Sequence, residues 1–269
     1  MNKPLILVTN DDGIHSHGLW AAVAALLPLG EVLVAAPNRQ WSGAGRSMTN
    51  GITATATPFS REIDGQAITA YAVNATPAAV VIQALLKLVP RRPTLVVSGI
   101  NLGENISTEV TISGTVGAAL EAAACGIPAL AVSLALPIAL HNHATGAEAD
   151  YQAAQAFTQR FARHLLTTPL PYDTHVLNLN IPQTATSKTA WRLTRLSRHR
   201  YYQSITAAEG EPTYQVMAHP EQTAVDSDIY TLSVEQLVSV TPLSLDLTAR
   251  TDFGTLEAEF HRSVPQPGI

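Results

Sequence analysis

The chain has 269 residues, of which 46% are apolar and 14% charged, and its formal net charge is −5. This composition supplies enough apolar side chains for a large core and excludes an intrinsically disordered protein. No basic run is longer than the pair Arg91-Arg92. The sequence therefore argues against a protein that binds the phosphate backbone of duplex nucleic acid. It does not exclude binding of a small anionic ligand.

Cysteine content and the N-terminal residues indicate the compartment. Cys125 is the only cysteine, which excludes an internal disulfide and a zinc site built from cysteines. The first apolar run, residues 5–8, is too short for a signal peptide or a membrane span. We therefore expect a cytoplasmic protein that does not associate with membranes.

Strand and helix patterns alternate through the first part of the chain. Short, continuous apolar runs are typical of strands buried on both faces, and they fall at residues 5–8, 32–35, 95–97 and 130–132. Apolar residues at helical spacing predict helices over residues 18–27, 77–88, 113–125 and 148–166. This order predicts an α/β fold with βαβ units and a mainly parallel sheet.

The pattern changes after about residue 185. Short strands are predicted at residues 201–202, 213–217, 229–232 and 237–240, with turns between them. We expect residues 1–185 to form the α/β core. Residues 186–269 are predicted to form an antiparallel extension with hairpins, as part of the same domain, that is used in self-association.

Asp11 and Asp12 lie side by side in Asn10-Asp11-Asp12-Gly13, at the carboxyl end of the first predicted strand. Open α/β sheets bind ligands at this edge. An ordinary turn explains one aspartate and the glycine. A divalent cation explains both aspartates, because it offsets their repulsion and prefers hard oxygen ligands. Both interpretations stay open at this point.

Two further loops follow predicted strands at the same edge of the sheet. The loop after residues 32–35 carries Ser42, and the loop after residues 95–97 carries Asn101. Each residue offers an uncharged oxygen close to glycines, which allow the backbone to approach a ligand closely. Any one of these loops could be an ordinary polar loop. Three of them at equivalent strand ends favour a binding site.

The segment Thr111-Ile112-Ser113-Gly114-Thr115 opens an alanine-rich predicted helix. Small hydroxyl residues and glycine at a helix N-terminus are typical of an anion site, because free N–H groups and the helix dipole favour a phosphate. A plain helix cap is the alternative. The chain has neither a Walker A loop nor a dinucleotide-binding glycine motif.

Other candidate residues carry less weight, because an ordinary structural role explains each of them. These are the metal-binding candidate His141-Asn142-His143, the histidines His15 and His17, the helix-end Cys125, and the basic cluster Arg195, Arg198, His199 and Arg200.

Four motifs in this order closely resemble the SurE family of survival proteins, which are metal-dependent 5′/3′-nucleotidases. The motifs are Asn10-Asp11-Asp12-Gly13, residues 36–39 with Ser42-Gly43, residues 98–105, and residues 113–121 followed by Gly126-Ile127-Pro128. Residues 177–182, 194–195 and 238–243 also resemble that family, so the resemblance spans nearly the whole chain.

The resemblance implies a Rossmann-like three-layer core, nucleoside monophosphate substrates, and a homodimer or homotetramer built partly through C-terminal segments. It also implies one Mg²⁺ or Mn²⁺ ion per subunit. The family's metal ligands correspond to Asp11, Asp12, Ser42 and Asn101, the first two of which are also implied as catalytic. Its phosphate contacts correspond to Asn105, Ser113, Gly114 and Thr115.

Four positions depart from the family pattern, and two alternative functions stay open. Ala75, Ala79, Ile112 and Ala122 replace the usual Gly, Asp, Tyr and Gly. One alternative is a phosphatase with an aspartyl-phosphate intermediate, although such enzymes use Asp-x-Asp rather than adjacent aspartates. The other is a non-catalytic sensor that binds nucleotide and metal.

Overall fold

A nine-stranded, mostly parallel sheet with helices on both faces forms the core. The computed structural model describes residues 3–49, 53–138, 141, 146–206, 212–217 and 219–263. In chain order its principal elements are β1 (Leu5–Thr9), α1 (His17–Leu26), β2 (Glu31–Pro37), β3 (Ala56–Ile63), β4 (Gln66–Val73), α2 (Pro77–Gln83), β5 (Leu95–Leu102), α3 (Gly114–Ala124), β6 (Ala129–Leu134), α4 (Gln152–Thr167), β7 (Val176–Ile181), β8 (Trp191–Leu193), β9 (Tyr202–Thr206), β10 (Pro212–Val216), α5 (Asp228–Ser233), β11 (Val238–Leu243) and α6 (Phe253–Ser263).

The strand order of the large sheet is β3-β4-β2-β1-β5-β6-β7-β11-β8. Strands β4, β2, β1, β5, β6 and β7 run parallel, whereas β3 pairs antiparallel with β4 and β11 pairs antiparallel with β7. The predicted α/β fold with a mainly parallel sheet and additional antiparallel strands is therefore confirmed. The carboxyl ends of β1, β2 and β5 share one edge, as parallel pairing requires.

Alternate residues of β1 pack into different apolar layers. Ile6 and Val8 contact the layer that contains α1 and α4. Leu5 and Leu7 contact the layer that contains α2 and α3. Since both faces of the strand are covered, every position from 5 to 8 is apolar and buried. The three-layer architecture predicted by the resemblance is confirmed.

Helix α3 lies close to the sheet because its side chains are small. Ala118, Ala119 and Ala122 are fully buried. The helix ends at Ala124. Gly126, two residues later, has a φ of +72°, and its N–H donates to the carbonyl oxygen of Ala123 over 2.8 Å. Gly126 therefore stops the helix, because it adopts the left-handed conformation that glycine favours.

The strand predicted at residues 229–232 was wrong, because these residues belong to α5. The hydroxyl of Ser227 accepts a hydrogen bond from the N–H of Tyr230 over 3.2 Å, and Asp228 occupies the first turn. This N-terminal capping outweighs the strand propensity of the short apolar run Ile229–Leu232.

The helix predicted over residues 77–88 changes its hydrogen bonding part of the way along. Its α-helical part ends at Gln83, and Ala84–Leu88 form a π-helical turn. Thr76 occupies the N-cap position, but its hydroxyl donates to the carbonyl oxygen of Ser47 over 2.6 Å instead of capping the helix. That hydroxyl therefore fixes the loop after β2.

Residues 186–269 contribute to the core sheet and also lie outside it. Strands β8 and β11 extend the large sheet, whereas β9 and β10 form a separate antiparallel hairpin. Helix α6 has no buried residue, and its Phe253 and Phe260 are exposed.

In the part of the chain that the structure describes, no helix has the length and apolar character needed to cross a membrane.

Gly117 of α3 touches the loop after β2, and its replacement gives a test of this packing. An added Cβ would lie 2.2 Å from the carbonyl oxygen of Gly45. Gly117→Ala should lower the free energy of unfolding, measured in urea, by about 1–3 kcal/mol because the loop must shift. The control is Gly254→Ala, whose Cβ meets its nearest atom, Asp252 Oδ1, at 3.5 Å. Equal stability of the two variants would contradict this packing.

Candidate active site

The turn after β1 holds Asp11 and Asp12 at the carboxyl edge of the sheet. The side chain of Asn10 closes the turn, since its Oδ1 accepts from the N–H of Gly13 and its Nδ2 donates to the carbonyl oxygen of Gly13, each over 3.1 Å. Gly13 has a φ of +95°, and a Cβ there would lie 3.1 Å from the carbonyl carbon of Arg39. The glycine of the motif is therefore required by both backbone conformation and space.

Three residues predicted for the site meet around one hydroxyl group. Thr115 donates its Oγ1 hydrogen to Asp11 Oδ1, and the same Oγ1 lies 3.2 Å from Asn101 Oδ1. Asn101 Nδ2 donates to the carbonyl oxygen of Gly103 over 2.7 Å, which fixes the orientation of the amide. Residues from the ends of β1 and β5 and from the start of α3 are thus in direct contact.

Asp12 is held by a side chain that the sequence analysis missed. Gln40 Nε2 donates to Asp12 Oδ1 over 3.2 Å, and the N–H of Leu102 donates to Asp12 Oδ2 over 3.3 Å. Gln40 lies in the predicted β2 loop, two residues before Ser42. Its position in that loop is the signal that could have identified it.

Burial dominates the electrostatics of the aspartate pair. Asp11 is 7% exposed and Asp12 is 4% exposed. Burial raises the pKa of Asp12 to about 8, with the nearby charge of Asp11 as a second cause. Burial also raises the pKa of Asp11, against the hydrogen bond from Thr115 and the backbone N–H groups of Thr115 and Gly114.

The donor set fits a divalent cation that prefers oxygen. Within the residues that the structure describes, neither Asp11 nor Asp12 forms an ion pair with a lysine, arginine or histidine. Two buried carboxylates without a positive partner are costly, and a divalent ion would offset that cost. No group of three or more His, Cys, Asp or Glu side chains that could hold a metal occurs in the described part of the chain. An ion here would therefore need neutral oxygens in addition to the two carboxylates.

Ser42 lies in the loop after β2, which packs beside this cluster. Its loop is tied to the site at two points: the N–H of Trp41 donates to the carbonyl oxygen of Asp11, and the N–H of Gly45 donates to that of Ile112, both over 2.8 Å. The side chain of Ser42 is exposed. The backbone thus holds the loop against both the aspartate turn and the segment before α3.

Polar groups at the start of α3 either cap the helix or lie beside Asp11. Ser113 is the N-cap, since its Oγ accepts from the N–H of Val116 over 3.1 Å and its own N–H donates to the carbonyl oxygen of Glu109 over 3.1 Å. Gly114 lies against Asp11, because an added Cβ would come 2.9 Å from Asp11 Oδ2. The N–H groups of Gly114 and Thr115 therefore lie beside the carboxylate pair. Ile112, which replaces the usual tyrosine, is 54% exposed.

Asn105 is held by the neighbouring strands β6 and β7. Its Nδ2 donates to Ser133 Oγ over 2.9 Å, and its backbone contacts the side chains of Asn178 and Asn180. No role for these three partners was predicted from the sequence. The signal was the alternation of asparagine with leucine in Leu177-Asn178-Leu179-Asn180, because strands buried on both faces are otherwise apolar.

The weaker candidates have ordinary surroundings. His141 Nε2 lies 2.8 Å from the carbonyl oxygen of Leu136, and the remaining members of that motif, residues 142 and 143, lie outside the described residues. His15 packs edge-on against Phe59, while His17 begins α1. Cys125 follows the end of α3.

The basic cluster near residue 198 lies mostly in solvent. Arg195 pairs with Asp226 at 2.9 Å, and Arg200 Nε lies 3.9 Å from Glu109 Oε1. The side chains of these two arginines are 73% and 69% exposed. Arg198 and His199 are exposed as well. These exposures agree with a cluster that forms a solvated surface.

Comparisons with known proteins identify one family over most of the chain. A family model described as survival protein SurE matches residues 6–203. A 5′-nucleotidase SurE of Thermococcus gammatolerans is 43% identical over 256 residues, which cover 94% of each chain. A protein of the same name from Thermococcus kodakarensis is 42% identical over 252 residues, with coverage of 92% of this chain and 95% of the relative. The crystal structure of the SurE protein from Aquifex aeolicus matches with a TM-score of 0.69 and 30% identity, over 96% of this chain and 99% of that chain.

The raised pKa of Asp12 predicts how the metal-free protein responds to pH. The ordinary value is 3.8 and the value in the folded chain is about 8, so between these pH values the folded chain binds a proton that the unfolded chain releases. With EDTA present, the free energy of unfolding should therefore fall as pH rises through this window, by up to about 1.4 kcal/mol per pH unit.

Asp12→Asn should reduce that slope, because it removes the titrating carboxyl and its repulsion of Asp11. Asp64→Asn, at an exposed turn position, is the matched control and should keep the wild-type slope. Urea unfolding at several pH values measures both. An unchanged slope in Asp12→Asn would show that the buried pair does not bind the proton.

Proposed function

The chain belongs to the SurE family, and from this premise we propose that it is a metal-dependent 5′-nucleotidase. It hydrolyses nucleoside 5′-monophosphates to nucleoside and inorganic phosphate. The observation that carries the proposal is the buried pair Asp11 and Asp12, which has no positive partner in the described part of the chain and lies beside the start of α3. The names of the relatives support this activity over a sensor or an aspartyl-phosphate enzyme.

Asp11, Asp12, Ser42 and Asn101 would hold one Mg²⁺ or Mn²⁺ ion. When bound, such an ion supplies Lewis acidity to the phosphoryl group and to the attacking water. The contact between Thr115 and both Asp11 and Asn101 supports this assignment, because it joins oxygens from separate strands. Gln40 and the N–H of Leu102 orient Asp12 in the same cluster.

The start of α3 would bind the phosphate of the substrate. The N–H groups of Gly114 and Thr115 contact Asp11 in this structure. Together with the helix dipole they favour an anion at this point. Ser113 contributes through its hydroxyl hydrogen while its oxygen caps the helix, and Asn105 contributes an amide. These donors would stabilise the charge that develops on the phosphoryl oxygens during in-line attack by water.

Self-association through residues 186–269 is part of the proposal. Helix α6 has no buried residue, and the side chains of Phe253 and Phe260 are 62% and 55% exposed. An amphipathic helix with aromatic residues in solvent gains stability when a second copy covers it. We therefore expect a homodimer or homotetramer in which these segments take part.

The activity is tested by phosphate release from AMP, GMP and 3′-AMP. We expect release from the 5′-monophosphates with Mg²⁺ or Mn²⁺, loss of release in EDTA, and recovery when the ion is restored, because the ligand set depends on the ion for charge balance. Release from 3′-AMP reports whether the site also accepts 3′-esters. Nucleotide binding without phosphate release would instead identify a sensor.

Asp11→Asn tests the role of the carboxylate pair. Removal of one charged ligand should lower the rate of phosphate release from AMP by about a hundredfold or more, or roughly 3 kcal/mol of barrier, because the ion is held less firmly. The matched control Asp64→Asn should retain wild-type rates. A turnover near wild type for Asp11→Asn in saturating Mn²⁺ would count against the proposed site.

A further inference from the structure

Two asparagines occupy fully buried positions in β7. Asn178 and Asn180 are both 0% exposed, and they lie on the same face of the strand as Val176, which packs in the apolar layer of α2 and α3. A buried amide costs free energy unless its polar atoms are hydrogen-bonded. A strand made of apolar residues would avoid this cost. The presence of two buried amides therefore indicates that they have a specific function.

Both side chains contact the backbone of Asn105. Asn178 Nδ2 and Asn180 Nδ2 donate to the carbonyl oxygen of Asn105 over 2.8 Å and 3.1 Å, and Asn180 Oδ1 accepts from its N–H over 2.8 Å. In the described part of the chain, Asn178 Oδ1 is buried without a hydrogen-bond partner. The amide of Asn178 therefore acts only as a donor, through the hydrogen bond from its Nδ2 to Asn105.

The side chain of Asn105 is fixed from the same direction. Ser133 pairs with Asn180 across the parallel strands β6 and β7, and its Oγ accepts from Asn105 Nδ2 over 2.9 Å. One N–H of that amide stays available, and Asn105 is only 9% exposed. Both the backbone and the amide plane of Asn105 are therefore determined by groups at the carboxyl ends of β6 and β7.

An independent set of contacts holds the segment after Asn105. The buried carboxylate of Asp228 accepts hydrogen bonds from the N–H groups of Ser107 and Ser197 over 2.6 Å and 2.9 Å. Ser107 follows Asn105 in the chain, whereas β5 precedes it. Asp228 thus holds the backbone after Asn105 independently of β7. The hydrogen bonds of Asn178 and Asn180 act on residue 105 alone.

We propose that Asn178 and Asn180 are positioning residues that fix Asn105 so that its free amide N–H is directed at the phosphate of the substrate. The inference rests on the proposed function, in which Asn105 contacts that phosphate. The two asparagines do not touch the substrate. They act through Asn105, and Asn180 contributes more because it holds both the N–H and the carbonyl group.

The test is a double-mutant cycle with inorganic phosphate as the probe, measured as its inhibition constant against AMP hydrolysis by the full chain. Asn180→Ser should weaken phosphate binding by about tenfold, the size of one lost hydrogen bond to a charged group. In the Asn105→Ala background, the same change should alter the inhibition constant by less than about twofold, because the contact that it positions is already absent.

Two further variants separate positioning from a general loss of stability. Asn178→Ser removes one of the three backbone hydrogen bonds and should give a smaller effect in the same direction, which keeps the test valid if Asn180→Ser does not fold. Thr158→Val removes a buried hydroxyl that donates only within α4, to Ala154. It should lower the thermal stability without changing the inhibition constant.

Each outcome of the cycle has a distinct meaning. A tenfold effect that disappears in the Asn105→Ala background supports the positioning role. An equal effect in both backgrounds, or no effect of Asn180→Ser and Asn178→Ser while Asn105→Ala weakens binding, would overturn the positioning role alone. If Asn105→Ala leaves phosphate binding unchanged, the proposed phosphate contact fails and the positioning role fails with it.

Discussion

The burial of Asp11 and Asp12 at the end of β1 is the constraint on which the rest of the site depends. Adjacent carboxylates repel, and removal from water increases the cost of charging them. The fold reduces the cost through the hydroxyl of Thr115, the amide of Gln40 and the N–H of Leu102. None of these groups is positive, so the pair keeps a negative potential that a divalent ion can neutralise.

Close backbone packing makes this arrangement feasible. Gly13 turns the chain after the aspartates, Gly114 allows the start of α3 to approach Asp11, and Gly117 allows the same helix to contact the loop that carries Ser42. A helix with larger side chains at these points would lie farther from the sheet. The N–H groups at its start would then be too distant from Asp11 for the phosphate contact that we propose.

A second group of buried polar contacts surrounds Asn105, the residue that we propose as a phosphate contact. Asn178, Asn180 and Ser133 hold Asn105, while Asp228 joins the following segment to residues beyond position 185. The C-terminal part of the chain thus does more than complete the sheet with β8 and β11. Through Asp228 it helps to fix the segment between β5 and α3, which follows Asn101 in the chain and ends at Ser113.

The sequence by itself determined the mainly parallel α/β core, because strands covered on both faces must be apolar at every position and therefore leave a clear pattern. It also indicated that loops after β1, β2 and β5 share one edge, since parallel pairing places their carboxyl ends together. Tertiary structure decided the features that depend on contacts distant in sequence. Local patterns mark Gln40, Asn178 and Asn180 as unusual residues. Only the folded chain shows that Gln40 contacts Asp12 and that the two asparagines contact Asn105. Residues 229–232 became helical because Ser227 caps them and Asp228 bonds to Ser107 and Ser197, which outweighed a short apolar run that by itself favours a strand.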